Sequence, residues 1–168
     1  MRNPFARAVC RLAAAVAAAA AFYQYSWMPA HANHLLKTVE ARTQTAADTG
    51  GDRAIFAARD NIALLQTITN SCVLSVDYHL IYAVNDRILG LNDEAIAQYT
   101  AALQSDHRPE IYFERGITYL EERKLDAATD DIALAVRFNP GFFDSIDAQM
   151  QARVAAVNKA VPYNPPPR

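Results

Sequence analysis

Two stretches of this chain are alike when one is shifted by 33 residues: Ala83, Gly90, Ala95, Tyr99 and Ala102 fall on Gly116, Arg123, Ala128, Ile132 and Ala135. A fixed internal period constrains a fold more than any local motif, because each copy must bury its apolar face on the next. Inside each copy apolar residues recur at three- and four-residue steps, the pattern of amphipathic helices. His79-Leu80, Tyr82-Ala83 and Ile88-Leu89 mark one helix, which Gly90 ends, and Asp93 is placed to cap a second along Ala95, Ile96, Tyr99, Ala102 and Leu103. After the polar turn Ser105-Asp106-His107-Arg108, Pro109 suits the first position of a third helix, where its missing N–H costs nothing. Ile111, Tyr112, Gly116, Ile117, Tyr119 and Leu120 follow; Leu125, Ala128, Ile132, Ala135 and Val136 mark its partner, which stops at Asn139-Pro140-Gly141. Antiparallel pairing explains the shared residues. Ala83 or Gly116 lets one backbone approach its neighbour, Ala95 or Ala128 permits a tight crossing, and Tyr99 or Ile132 fills the gap between pairs.

The flanks read as helical too. A short, weak helix is expected within 33–47, then a loop at Asp48-Thr49-Gly50-Gly51-Asp52, with Asp52 as a candidate N-cap. Ile55, Ala58, Ile62, Leu65 and Ile68 give the next helix one apolar face. Thr67–Ser75 fits either a helix end with a turn or an extended link. Beyond 141, Ile146, Met150, Val154, Val157 and Val161 predict a helix over about 144–160, ended by Pro162 and followed by the Pro165-Pro166-Pro167 tail. The fold class is therefore all-α.

These paired segments resemble the tetratricopeptide repeat, a helix–turn–helix unit. The second copy carries Tyr112, Gly116, Tyr119, Leu125, Ala128, Ile132, Ala135 and Pro140 at the family's positions; the first keeps Gly90-Leu91-Asn92-Asp93-Glu94-Ala95-Ile96 at its turn. The first copy departs at His79, where an aromatic is usual, at Asp86, where a tyrosine is usual, and at His107, which replaces the closing proline. The resemblance implies an antiparallel helix-pair α-solenoid: two repeats over 76–141, a helical segment over 33–75 that is either an eroded upstream repeat or a filler of the groove, and a capping helix over 142–161 ahead of the proline-rich 162–168.

Residues 1–32 read differently. Arg2, Arg7 and Arg11 precede the apolar run Leu12–Tyr23, no acid occurs before Glu40, and Ala30-His31-Ala32 offers the small residues of a signal-peptidase site. A secretory signal cleaved after Ala32 is expected, with periplasmic or secreted location. An uncleaved N-terminal membrane anchor is the alternative, disfavoured because Gln24 cuts the run short of about 20 apolar residues. Cleavage removes three arginines and no acids, leaving 13 basic and 18 acidic side chains and a net charge of −5. Such a domain is a poor partner for nucleic acid. Cys10 precedes the apolar run, unlike a lipoprotein cysteine; Cys72 is alone after cleavage, read as a small buried hydrophobe, with an intermolecular bridge or a reactive thiol as the alternative.

No enzyme chemistry is legible. HExxH, CxxC and EF-hand spacings are absent, as are GxSxG and glycine-rich phosphate loops, so no catalytic residue, metal or cofactor is expected. His31 would leave with the signal, His34 then loses its i+3 partner, and His79 fits a packing position. Glu121-Glu122 and Asp130-Asp131 read as solvated acids on polar helix faces.

In tetratricopeptide proteins the first helices of successive repeats line a concave groove for a peptide or helix. Carried over by position, the resemblance implies a protein-binding groove of Asp77, Leu80, Val84, Arg87 and Ile88 from the first copy, and Glu110, Phe113, Ile117, Leu120 and Glu121 from the second. An apolar floor edged by mixed charges suits an amphipathic partner, whereas a Lys/Arg cluster able to clamp a terminal carboxylate is missing. A structural or self-associating homo-oligomeric module is the competing expectation.

Overall fold

Helix formers and helix breakers alternate along this chain, and the structure follows them. A computed structural model describes residues 4–23, 26, 28–68 and 75–160, with side-chain surroundings from residue 13 onward. Among these residues the fold is all-α, without strands: α1 Pro4–Phe22, α2 Met28–Thr49, α3 Gly51–Ile68, α4 Val76–Ile88, α5 Asn92–Ala102, α6 Pro109–Glu121, α7 Leu125–Phe138, a 3₁₀ segment Pro140–Ser145, and α8 Ala148–Ala160. No helix among them is long and apolar enough to cross a membrane. Cys72 and the tail from Val161 lie outside the described residues.

From α2 onward each helix packs on its neighbours in sequence, and α2 also reaches α4. The pairing is antiparallel. Arg42 meets Asp60 near the middle of α2 and α3, while Leu35 and Thr67 line one cleft near the other end. His79 near the start of α4 bonds Gln98 near the end of α5 at 2.8 Å. Each junction has its own buried cluster: Val39, Leu65, Ile68, Tyr78 and Ile81 join α2, α3 and α4; Ala83, Ala95, Tyr99, Ala102 and Ile111 join α4, α5 and α6; Ala128, Ile132, Met150 and Val154 join α7 and α8, with Ile117 and Leu120 of α6 against them.

The sequence period is reproduced bond for bond at the turns. Gly90 N–H donates to Arg87 C=O at 2.9 Å and Leu91 N–H to Asp86 C=O at 2.9 Å. Thirty-three positions on, Arg123 N–H donates to Leu120 C=O at 2.9 Å and Lys124 N–H to Tyr119 C=O at 2.9 Å. Both form the Schellman closure, which needs a left-handed residue just past the helix. Gly90 supplies it at φ 73°; Arg123 adopts it at φ 57° against a Cβ clash.

Several expectations are corrected. Segment 33–47 lies within a single 22-residue helix that begins at Met28. Thr38, Thr45 and Thr49 donate to the carbonyl four residues back, so these weak helix formers are satisfied without leaving the helix. Asp52 lies in the first turn of α3 instead of capping it. Leu91, with no side-chain bond, takes the N-cap of α5, because the tight turn places Asp93 already inside the helix; Asp93 instead meets Lys124 Nζ at 2.6 Å. The last helix starts at Ala148, not near 144, since Asp147 Oδ1 accepts from Met150 N–H at 2.8 Å and the preceding residues form the 3₁₀ segment.

A Cβ built on Gly116 would meet Ile132 Cγ1 at 2.6 Å and Asp131 Cβ at 3.3 Å, so glycine sets the α6–α7 approach. Gly116→Ala is expected to cost about 1–3 kcal/mol by overpacking. At the turns, Gly90→Ala is expected to destabilise by about 1–2 kcal/mol and Arg123→Gly to stabilise by up to about 1 kcal/mol. Urea midpoints at unchanged slope check all three; a neutral Gly90→Ala contradicts the left-handed closure.

Candidate functional site

α4 presents two distinct faces, because residues three or four apart share a side of a helix. Leu80, Val84, Arg87 and Ile88 fall on one side; Tyr82, Asp86 and Leu89 fall roughly opposite. The first side belongs to the groove expected from sequence, and α6 continues it with Glu110, Phe113, Ile117, Leu120 and Glu121.

Arg87 ties these two helices together. Its guanidinium donates from Nη1 to Glu114 Oε2 at 2.6 Å and from Nη2 to Glu121 Oε1 at 2.8 Å. Burial opposes its charge; the bond to Glu121 and the neighbouring Tyr99 and Glu121 more than offset this, so its pKa stands above the ordinary arginine value. The Tyr99 hydroxyl is pushed up to about 12 by burial and by Glu114, against the opposing Arg87 charge. Glu114, one of the two carboxylates that hold Arg87, was missed by sequence reasoning. It lies three and seven residues before Ile117 and Glu121, so helix spacing alone marked it as a member of that face.

The other groove residues divide into two sets. Leu80, Val84 and Ile88 of α4 are half-buried; Leu80 leans on the cluster around Tyr99, while Val84 and Ile88 belong to none of the three buried clusters. On α6, Ile117 and Leu120 are drawn against Ile132, and Phe113 stacks on Phe142 of the 3₁₀ segment, centroids 4.4 Å apart. The chain thus covers part of its own α6 face from the C-terminal side. Asp77 and Glu110 are exposed, with Arg108 3.8 Å from Asp77. The cluster that joins α2 and α3 to α4 uses Tyr78 and Ile81.

The second side of α4 closes a cleft of about 400 Å³ between α3, α4 and α5, lined by Arg59, Tyr82, Asp86, Glu94 and Gln98 among others. Asp86 is only 2% exposed, and its Oδ2 has no hydrogen-bond partner. Burial and then Glu94 raise its pKa from 3.8 to about 7. Beside it, a wholly buried polar network crosses three helices: Asn61 Nδ2 donates to Asn85 Oδ1 at 3.0 Å, and Asn85 Nδ2 to Thr43 Oγ1 at 2.7 Å.

The acid pairs need one correction. Glu121, Glu122 and Asp130 are exposed, as expected, but Asp131 is buried and accepts two bonds from Arg115, at 2.7 and 2.9 Å. Arg115 reaches back from α6 and lies 5.9 Å from both the Tyr112 and Tyr119 rings, a cationic side chain that makes Asp131 structural. His79 bonds Gln98 and packs edge-on to Tyr78. Among the described residues, no three His, Cys, Asp or Glu side chains are grouped to hold a metal ion.

Comparison with family models, with curated proteins and with solved structures finds no match.

Because folded Asp86 holds its proton to about pH 7 and the unfolded side chain releases it near 3.8, stability is fullest below that window and falls as pH rises through it. Asp86→Asn is expected to flatten this slope and to gain on the order of 1–3 kcal/mol over the parent at pH 8, read from urea unfolding at several pH values. A variant whose slope matches the parent's contradicts the assignment.

Proposed function

We propose that this chain is an exported tetratricopeptide-type adaptor that binds a peptide or helix of another protein along α4 and α6, without catalysis. The observation that carries the reading is the recurrence of the same turn hydrogen bonds at Gly90-Leu91 and Arg123-Lys124, 33 residues apart, which supports a repeat unit over an incidental helical hairpin. A third pair, α2 with α3, stacks on α4 in the same antiparallel sense, and α8 covers the outer side of α7, the role of a terminal cap. Val84 and Ile88, half-buried on α4, supply apolar surface; Asp77, Glu110, Glu121 and Arg87 supply the charged margin.

Export rests on the arginine-flanked apolar run and the Ala30-His31-Ala32 site. That site lies in the first turn of α2, where Ala32 is buried, so cleavage requires this turn to unwind before the segment packs.

A self-associating module is the second reading, favoured by one feature: Phe56 is 67% exposed on α3, next to the half-open Ile55. Large apolar side chains left in water at the end of a helix array are suited to a second copy.

The test is affinity capture with the chain from residue 33 onward, beside a Val84→Glu, Ile88→Glu variant whose circular dichroism matches the parent. Retention of a partner by the parent and about tenfold weaker retention by the variant supports the adaptor. Equal retention removes this face from the reading; no partner, together with a dimer that Phe56→Glu dissociates, establishes the second reading instead.

A further inference from the structure

The α3–α4–α5 cleft lies on the side of α4 away from the groove, and what it contains is independent of the adaptor reading. Its floor holds a carboxylate in an unusual state: Asp86 is 2% exposed and its Oδ2 has no partner. A buried carboxylate oxygen left without a hydrogen bond is costly and calls for an explanation.

The next helix pair shows what completes such a position. At an offset of 33 residues, Tyr82, Asp86 and Gln98 correspond to Arg115, Tyr119 and Asp131. In that pair the space is filled: the Arg115 guanidinium holds Asp131 through Nε and Nη2 and lies 5.9 Å from the Tyr119 ring. In the first pair Gln98 and Tyr82 take other partners, and Asp86 Oδ2 takes none. Gln98 bonds His79 at 2.8 Å, and Tyr82 accepts from Gln66 Nε2 at 3.4 Å. The acid has moved from the α5–α7 position to the α4–α6 position, the aromatic has moved with it to Tyr82, and the guanidinium between them has no counterpart. About 400 Å³ of cleft stands open there, within the range of small-ligand sites.

We propose that this cleft receives the guanidinium of an arginine side chain from a partner, with Asp86 as its counter-ion, Glu94 as a second carboxylate and the Tyr82 ring as its wall. Among the lining residues the ionisable groups are Tyr82 on α4, Arg59 on α3, and Asp86 with Glu94 on the α4 and α5 sides, so two acids face one cation. Arg59 is exposed at the rim and sets a charge that the incoming group must pass. The acid that raises the Asp86 pKa, Glu94, also favours the cation once it arrives, so arginine binding draws the Asp86 proton off. Affinity therefore strengthens as pH rises from 6 to 8.

The experiment is an amide chemical-shift titration of the full chain at pH 8, with N-acetylarginine amide, N-acetylcitrulline amide and methylguanidinium as probes. Citrulline keeps the shape of arginine and removes its charge. Saturable shifts at Asp86, Glu94 and Gln98, with a dissociation constant on the order of millimolar for the arginine compound, are expected. Citrulline should leave these amides unmoved, and Asp86→Asn should weaken arginine binding by about tenfold or more, Glu94→Gln by less. Equal response to citrulline, or unchanged affinity in a folded Asp86→Asn chain, overturns the proposal. Methylguanidinium binding without arginine binding overturns the arginine source, because the charge then fits and the side chain does not.

Discussion

How closely two helix backbones approach determines everything stacked on them, and in this chain the approach is fixed by the smallest residues available. Gly116 lies where any Cβ would strike Ile132, and Ala83 holds the corresponding place in the preceding pair with no exposed surface. With α6 drawn in so near, Ile132 becomes wholly buried and Asp131 comes within two hydrogen bonds of Arg115. The side of α7 away from α6 is then free to take Met150 and Val154 of α8. A wider crossing at Gly116 would loosen each of these contacts together.

Apolar packing of this kind is forgiving of rotation, so polar ties fix the order and register of the pairs. The Thr43–Asn61–Asn85 network holds α2, α3 and α4 at one depth, since a shift of any helix would break buried hydrogen bonds between them. Arg87 does the same for α4 and α6, bridging to Glu114 and Glu121 from a half-buried position. Both ties sit on α4. That helix is therefore the fixed element of the array, with the proposed groove on one side and the Asp86 cleft on the other.

The all-α class and the positions of α3 to α7 were legible because apolar spacing and glycine, proline and polar turns marked them separately. The period also aligned Gly90 with Arg123, yet nothing in an arginine signals a left-handed backbone; only the shared Schellman bonds reveal it. Asp86 stood out as an acid where an aromatic is usual, but its burial depends on α3 and α5 closing over it, which no local pattern encodes. Asp131 was misread for the same reason: its partner, Arg115, is sixteen residues away on another helix. The length of α2 was underestimated because Met28–Ala32 was assigned to the expected signal and the apolar residues after it are sparse; the threonine bonds to the preceding turn are a geometric outcome. Glu114 was overlooked although its helix spacing placed it on the groove face, whereas the cover of Phe142 over Phe113 is a product of packing between elements.

The claim that a foreign chain occupies the α4–α6 face is tested most directly by crosslinking in the organism that makes the protein. A photoreactive amino acid is placed at Val84, and in a second strain at Ala152, which is exposed on α8. One discrete adduct with another protein is expected from position 84 and none from position 152. Equal labelling from both positions, or from 84 an adduct of two copies of this chain alone, would contradict it.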